Sequence, residues 1–355
     1  MNLGRSPEAL LTELQRQTKT KKDWLTKAPA VQMVEDVKLL HPKIALKGVQ
    51  GTFGITETGH LHLAEKAKIP KPYYDRLLSK PYLLAQNVNT WFKDDDRKFL
   101  VRTLDDNLRG MMSDSYHRYE NIDAMQVVLP VLEQRKATIT SCEVTEKHLY
   151  LQAFSKNLKA EIRVGDWIRA GAIISNSELG YGSVKVEPTA ERLACMNGMV
   201  IGVPMRKYHV GRKNEFDGDL AKFFSSKTNE LDDRVFWMKV KDVVAGAFDE
   251  AMFKANVEQL KQLADVKIAP KEVEDAVELT AQVFALTDDE QSGVLANIIK
   301  SNDLTQWGLA NAVTALAHDA DNYERSVEFE RFGGDIMRLP NLSKLIAEMG
   351  DEREN

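Results

Sequence analysis

Cysteine is nearly absent from this sequence: Cys142 and Cys195 are the only two in 355 residues, and neither belongs to a CxxC pair. A disulfide framework is therefore excluded. No apolar run approaches the roughly 18 residues that cross a bilayer, so no transmembrane segment is read. The opening Met-Asn-Leu-Gly-Arg-Ser-Pro-Glu lacks a basic region leading into an apolar stretch, so a cytoplasmic location is expected. Glycine (20) and proline (11) are sparse, which excludes collagen-like and low-complexity chains. With 43% hydrophobic and 28% charged residues, the composition is that of a folding chain rather than a disordered one.

Catalytic signatures are missing too. The chain has no Walker A loop, no GxGxxG after a strand, no GxSxG elbow and no HExxH. Its seven histidines (41, 60, 62, 117, 148, 209 and 318) are scattered without metal-ligand spacing; His60 and His62 read as surface residues on an extended stretch. Asp94, Asp95 and Asp96 sit between Trp91-Phe-Lys and Arg97-Lys, and read as a turn with neutralising neighbours. The expectation is a protein without enzymatic activity, metal or cofactor.

Charge is present, and unevenly placed. Residues 1–230 carry 35 Lys and Arg against 28 Asp and Glu, whereas residues 231–355 carry 13 against 25. A mildly basic body and an acidic C-terminal third suggest a polyanionic partner for the body.

Periodicity divides the chain into three. Residues 1–98 read as a mainly helical N-terminal region with a basic stretch: Leu10, Leu11 and Leu14 share a helix face, and Lys19, Lys21, Lys22 and Lys27 surround Trp24. Gly48–Gly59 reads as a short strand pair, and Leu61–Leu78 as helix, turn and helix about Pro70-Lys-Pro. From residue 99 the period falls to two. A hairpin is predicted over Phe99–Met112, a helix from Asn121, then strands over 137–143, 148–154, 159–164, 167–175 and 183–186, with a helix from Thr189 to Met196. Residues 99–213 thus form an antiparallel meander packed by helices, and residues 214–355 an acidic all-helical region with one long helix over 232–263. The fold class is α+β.

Within the meander, basic and aromatic residues interleave. Tyr116, Arg118 and Tyr119 precede the first helix, and Trp167 and Arg169 share a strand face. Arg206, Lys207, Tyr208, Arg212 and Lys213 form the densest cluster, and Tyr181 lies at a Gly-Tyr-Gly tip. Arg and Lys hold phosphates and flat rings stack on unpaired bases, so this pattern suits single-stranded nucleic acid.

Three segments carry a family resemblance: Ser113-Asp-Ser-Tyr-His-Arg-Tyr-Glu-Asn, Gly171-Ala-Ile-Ile-Ser-Asn-Ser-Glu-Leu-Gly and Arg192-Leu-Ala-Cys-Met-Asn-Gly-Met-Val. With Trp307-Gly-Leu-Ala-Asn-Ala-Val-Thr-Ala-Leu-Ala-His further on, they resemble an uncharacterised phage- and plasmid-borne family, a domain of unknown function. Ile69-Pro-Lys-Pro-Tyr-Tyr, Asn87-Val-Asn-Thr-Trp and Leu100-Val-Arg-Thr resemble its phage branch; Ser115 departs from it, standing where Arg is common. The core is similar to the fold of single-strand-annealing recombinases. The family implies mobile-element biology without a settled biochemistry; together with the basic-aromatic clusters, the likeness to annealing recombinases implies a DNA-binding protein that acts on single strands in recombination or replication without ATP. It further implies a homo-oligomer, ring or filament, working beside host or phage replication proteins. The alternative expectation is an interaction protein that inhibits a host defence or regulatory complex through its acidic helices.

Overall fold

The computed structural model describes residues 4–182, 184–201, 205–207, 226–339, 342 and 344–345. Helix α1 (Pro7–Thr20) starts where Ser6 accepts a hydrogen bond from the Ala9 amide and Pro7 presets the first turn. It buries Leu10 and Leu14, as the leucine spacing requires. The chain then turns extended at Lys21 and forms β1 (Lys22–Lys27), so the basic stretch is not helical. Trp24, Leu25 and Thr26 are strand formers, and the ladder to β5 (Lys98–Leu104) overrides the helical pattern before them. Short strands β2 (Val31–Met33), β3 (Ile44–Leu46) and β4 (Gly54–Ile55) follow. Next come α2 (Glu57–Lys66), α3 (Lys71–Leu78) and α4 (Pro81–Lys93). His60 and His62 lie on α2, not on an extended stretch, and His62 is buried.

The predicted hairpin is β5 with β6 (Asn107–Ser113), joined through Asp105 and Asp106, both at positive φ. Strands β1, β5, β6 and β4 make a four-stranded sheet in that order. After α5 (Asn121–Gln134) the meander runs through β7 (Ala137–Val144), β8 (Leu149–Arg163), β9 (Asp166–Asn176), β10 (Val184–Arg192) and β11 (Asn197–Val200). β12 (Met205–Lys207) also pairs with β10. The predicted helix from Thr189 is instead strand: Thr189 pairs with Gly171 on one side and Val200 on the other. The two strands predicted at 148–154 and 159–164 are one. Its register to β9 jumps between Phe154 and Lys159, and such irregularities bend a strand. The bend divides its packing, since Leu149, Leu151 and Ala153 join one hydrophobic cluster and Ile162 another. Gly171 sits opposite Phe154, whose ring would lie 2.2 Å from a Cβ there, so only glycine admits it.

The predicted 232–263 helix is two, α6 (Ser226–Ala247) and α7 (Glu250–Ala264). Asp249 breaks it by capping α7, its carboxylate accepting the Met252 amide. Then come α8 (Val273–Phe284), α9 (Asp288–Ser301), α10 (Gln306–Thr314) and α11 (Tyr323–Arg338). Helices α7 to α11 close over Ile162, Ile168, Ala170, Ala190 and Met199 of the sheet, while α1, α5 and α6 cover Leu151, Ala172 and Ile174. A third cluster fills the space between α2–α4 and the four-stranded sheet. Trp307, 1% exposed, donates its indole N–H to Asp166 at 2.9 Å and pins α10 to the β8–β9 turn.

Candidate nucleic-acid interface

The end of the four-stranded sheet next to α5 holds a network of buried charges. Arg102 projects from β5 and is 1% exposed. It donates to Asp23 (2.9 Å), to the Glu178 carbonyl (2.9 Å) and to the Glu120 carboxylate. Glu178 is 2% exposed; its carboxylate accepts from Lys21 Nζ (2.6 Å), Arg109 Nη1 (2.7 Å) and the Asn121 amide (2.8 Å). Burial opposes its ionisation, yet the surrounding Arg109, Lys21 and Arg102 prevail and hold the carboxyl well below the usual carboxylate range. Asp23, Lys21 and Glu120 are thus drawn inward, Lys21 also donating to Glu120 at 2.9 Å.

This network and its neighbours absorb much of the basic-aromatic set. Arg118 is tied to it through Asp23 (3.1 Å), although half its side chain is exposed. Tyr116 packs on Leu100, Met112 and Leu179, and burial pushes its hydroxyl up to about 12. Tyr119 stacks on Phe236 with ring centroids 3.9 Å apart and meets Trp237 edge-on. Arg169 pairs with Glu191 across the β9–β10 ladder and lies over the Phe154 ring. Tyr181 stacks on His62 at 5.3 Å with the rings nearly parallel. Trp167 is 45% exposed at the end of the sheet, beside the β10–β11 turn, where Met196 is also exposed. Arg206 and Lys207 lie on β12, whose backbone pairs with Lys185 and Val184. Tyr208, Arg212 and Lys213 lie outside the described residues.

The His62 contact carries a pH dependence. Its Nδ1 accepts the Met111 amide at 3.0 Å, which requires that nitrogen to be unprotonated. Burial pushes both His60 and His62 down to about 4. Between about 6.5 and about 4 the unfolded chain therefore binds more protons than the folded one. Stability should fall as pH is lowered through that window and be unaffected by these groups above it. Melting temperatures of the wild type and of His62→Gln from pH 7 to pH 4 check this; parallel curves contradict it.

A different surface offers what stacking requires. Among the described residues only four Trp, Tyr or Phe side chains are exposed: Trp167, and then Tyr73, Tyr82 and Trp91, at 48%, 37% and 61%. The last three lie on α3 and α4. These consecutive helices turn Tyr74, Leu77, Leu84, Ala85, Val88 and Phe92 inward and leave their outer faces to solvent. Residues 66–93 carry six Lys and Arg and one carboxylate, Asp75, which Lys71 neutralises. Arg76, Lys80 and Lys93 are exposed and make no ion pair among the described residues. Exposed cations and rings on these two helices supply the group types that bind phosphates and stack bases, with Tyr82 and Trp91, nine residues apart, projecting from opposite sides of α4. Sequence reading passed over this surface because it took Leu61–Leu78 as helix, turn and helix and assigned no element to Pro81–Lys93. The signal was the second set of residues, tyrosine, tryptophan and lysine at the positions the core does not use.

No group of three or more His, Cys, Asp or Glu among the described residues is arranged to hold a metal ion. No described helix is long and apolar enough to cross a membrane. Comparison with curated proteins and with solved structures gives no match. A family model, the domain of unknown function DUF932, matches residues 109–332, from β6 through α11, while α3 and α4 precede it. That match covers more than half of the chain, which therefore belongs to the DUF932 family.

Proposed function

We propose that this protein binds single-stranded DNA through the outer face of α3 and α4, and anneals complementary strands without ATP. In this reading it is a phage- or plasmid-encoded protein of recombination or replication, acting as a homo-oligomer in the host cytoplasm. The observation that carries the reading is that α3, α4 and their junction expose Tyr73, Tyr82 and Trp91 together with Arg76, Lys80 and Lys93, cations that make no ion pair among the described residues. Aromatic rings serve any base because every base has a π-face, and cations serve the backbone, so the combination favours strands without regard to sequence. Arg206, Lys207, Arg212 and Lys213 are kept as phosphate contacts on the strength of their spacing, and Trp167 as a stacking residue on its exposure. The likeness to annealing recombinases, read from the antiparallel meander alone since the stretch from Thr189 is strand, supplies the annealing step by analogy of fold.

Fluorescence anisotropy with labelled oligonucleotides tests the reading. Single strands should bind more tightly than duplexes, with log K falling linearly against log salt at about −0.7 per phosphate neutralised. Equal binding to both, or none, would contradict it.

A further inference from the structure

Arg109 has hydrogen-bonding capacity that no other described residue uses. The β5–β6 ladder pairs Arg102 with Gly110 and then Thr103 with Leu108, leaving Arg109 as the extra residue of a β-bulge. Bulges re-aim side chains and gather beside functional sites. Arg109 is 5% exposed, and its Nη1 donates to Glu178. Its Nε and Nη2 are buried with no partner among the described residues. These two N–H groups lie along one edge of the guanidinium, the fork that a carboxylate or a phosphate engages with two oxygens at once.

The residue lines a cavity of about 280 Å³, where α1, the β5–β6 turn, the β7–β8 turn and the start of α5 meet. Four carboxylates line it as well, and each already has a protein donor. Glu13 is held by Arg16 at 2.8 Å, and Asp105 by the same arginine at 2.7 Å. Glu146 accepts the Thr58 amide at 2.9 Å, and Glu178 is held as described. The lining cations left over are the Arg109 fork and Lys147, whose ammonium stands 5.5 Å from the Tyr181 ring centroid and makes no ion pair among the described residues. An unpaired buried donor is costly, and two on one charged group call for an acceptor.

We infer that this cavity binds an oxyanion, the carboxylate or phosphate group of a small polar ligand, in a two-pronged contact with Arg109 assisted by Lys147. The inference is independent of DNA binding by α3 and α4, and its test uses no nucleic acid. The ¹⁵N-labelled full chain is titrated with inorganic phosphate and, separately, with acetate. The Arg109 Nε–H resonance, assigned by its loss in Arg109→Lys, is followed. A saturable shift with phosphate assigns a phosphoryl ligand; saturation by acetate alone assigns a carboxylate. Arg109→Lys keeps a cation beside Glu178 but lacks the fork, and should weaken anion affinity by about tenfold or more. Lys147→Ala, outside the Glu178 network, should weaken it by roughly two- to fivefold. No saturable shift with either anion, or unchanged affinity in Arg109→Lys, overturns the proposal. Where Arg109→Lys does not fold, unchanged affinity in Lys147→Ala overturns it instead.

Discussion

Reversing three charges, Arg76→Glu with Lys80→Glu and Lys93→Glu, should lower single-strand affinity on the order of a hundredfold at about 0.1 M salt. Each phosphate contact contributes about 0.7 to the slope of log K against log salt, so the slope itself should shrink by about 2. Trp91→Ala removes a stacking face and should cost about 1–3 kcal/mol of affinity, with no change in the salt slope. The two variants thus separate the phosphate and base components. Neither should unfold the protein. Trp91 is 61% exposed, and the three cations are exposed on α3, on α4 and at their junction without ion pairs among the described residues. Stability should stay within about 0.5 kcal/mol of the wild type. Trp167→Ala is the companion measurement, and a loss as large as that of Trp91→Ala extends the strand's path to the end of the six-stranded sheet. If the triple variant keeps wild-type affinity and slope, the α3–α4 face is not the interface.

Glu178→Gln should be the most destabilising single substitution of the charge network, at about 3–5 kcal/mol. The carboxylate is 2% exposed and receives Lys21, Arg109 and the Asn121 amide, so a neutral amide leaves Arg109 buried without its counter-charge and Lys21 with Glu120 alone. A glutamine also brings an N–H₂ group to a place where three donors already converge. Because folding lowers the Glu178 pKa, its contribution is complete above the usual carboxylate range and is lost as pH falls toward the depressed value. Denaturant unfolding of the wild type and variant at neutral pH and near pH 3 checks both statements. The gap should be widest at neutral pH. By contrast Arg118→Ala, at the exposed rim, should cost about 1 kcal/mol or less. A Glu178→Gln variant as stable as the wild type would show that the network is not a support of the fold.

The fold was legible where local pattern and tertiary packing agree. The leucines of α1, the Asp-Asp hairpin turn and the Thr287 capping box that opens α9 are each specified by neighbours in sequence. The extended chain at Lys22–Lys27 and at Thr189–Arg192 was not, because long-range ladders to β5, β9 and β11 decide it. Glu178 could not be recognised as a hub from its own segment. Asn176-Ser177-Glu178 reads as turn chemistry, and its cationic partners arrive from residues 21, 102 and 109. Arg169 and Tyr119 were legible as residue types but not in use; a facing glutamate and a facing phenylalanine engage them. The exposed rings of α3 and α4 had the opposite fate. Residue type and helical spacing were both on display, but a helix pattern alone does not say which polar face remains uncovered.

The most direct measurement is photocrosslinking of the wild-type protein to a single strand carrying 5-iodouracil, followed by peptide mapping. Crosslinks in peptides holding Tyr73, Tyr82 or Trp91, suppressed by Arg76→Glu with Lys80→Glu and Lys93→Glu, are the result predicted here. Crosslinks confined to residues 206–213 or to the acidic helices, or none at all, would contradict the assignment of the interface to α3 and α4.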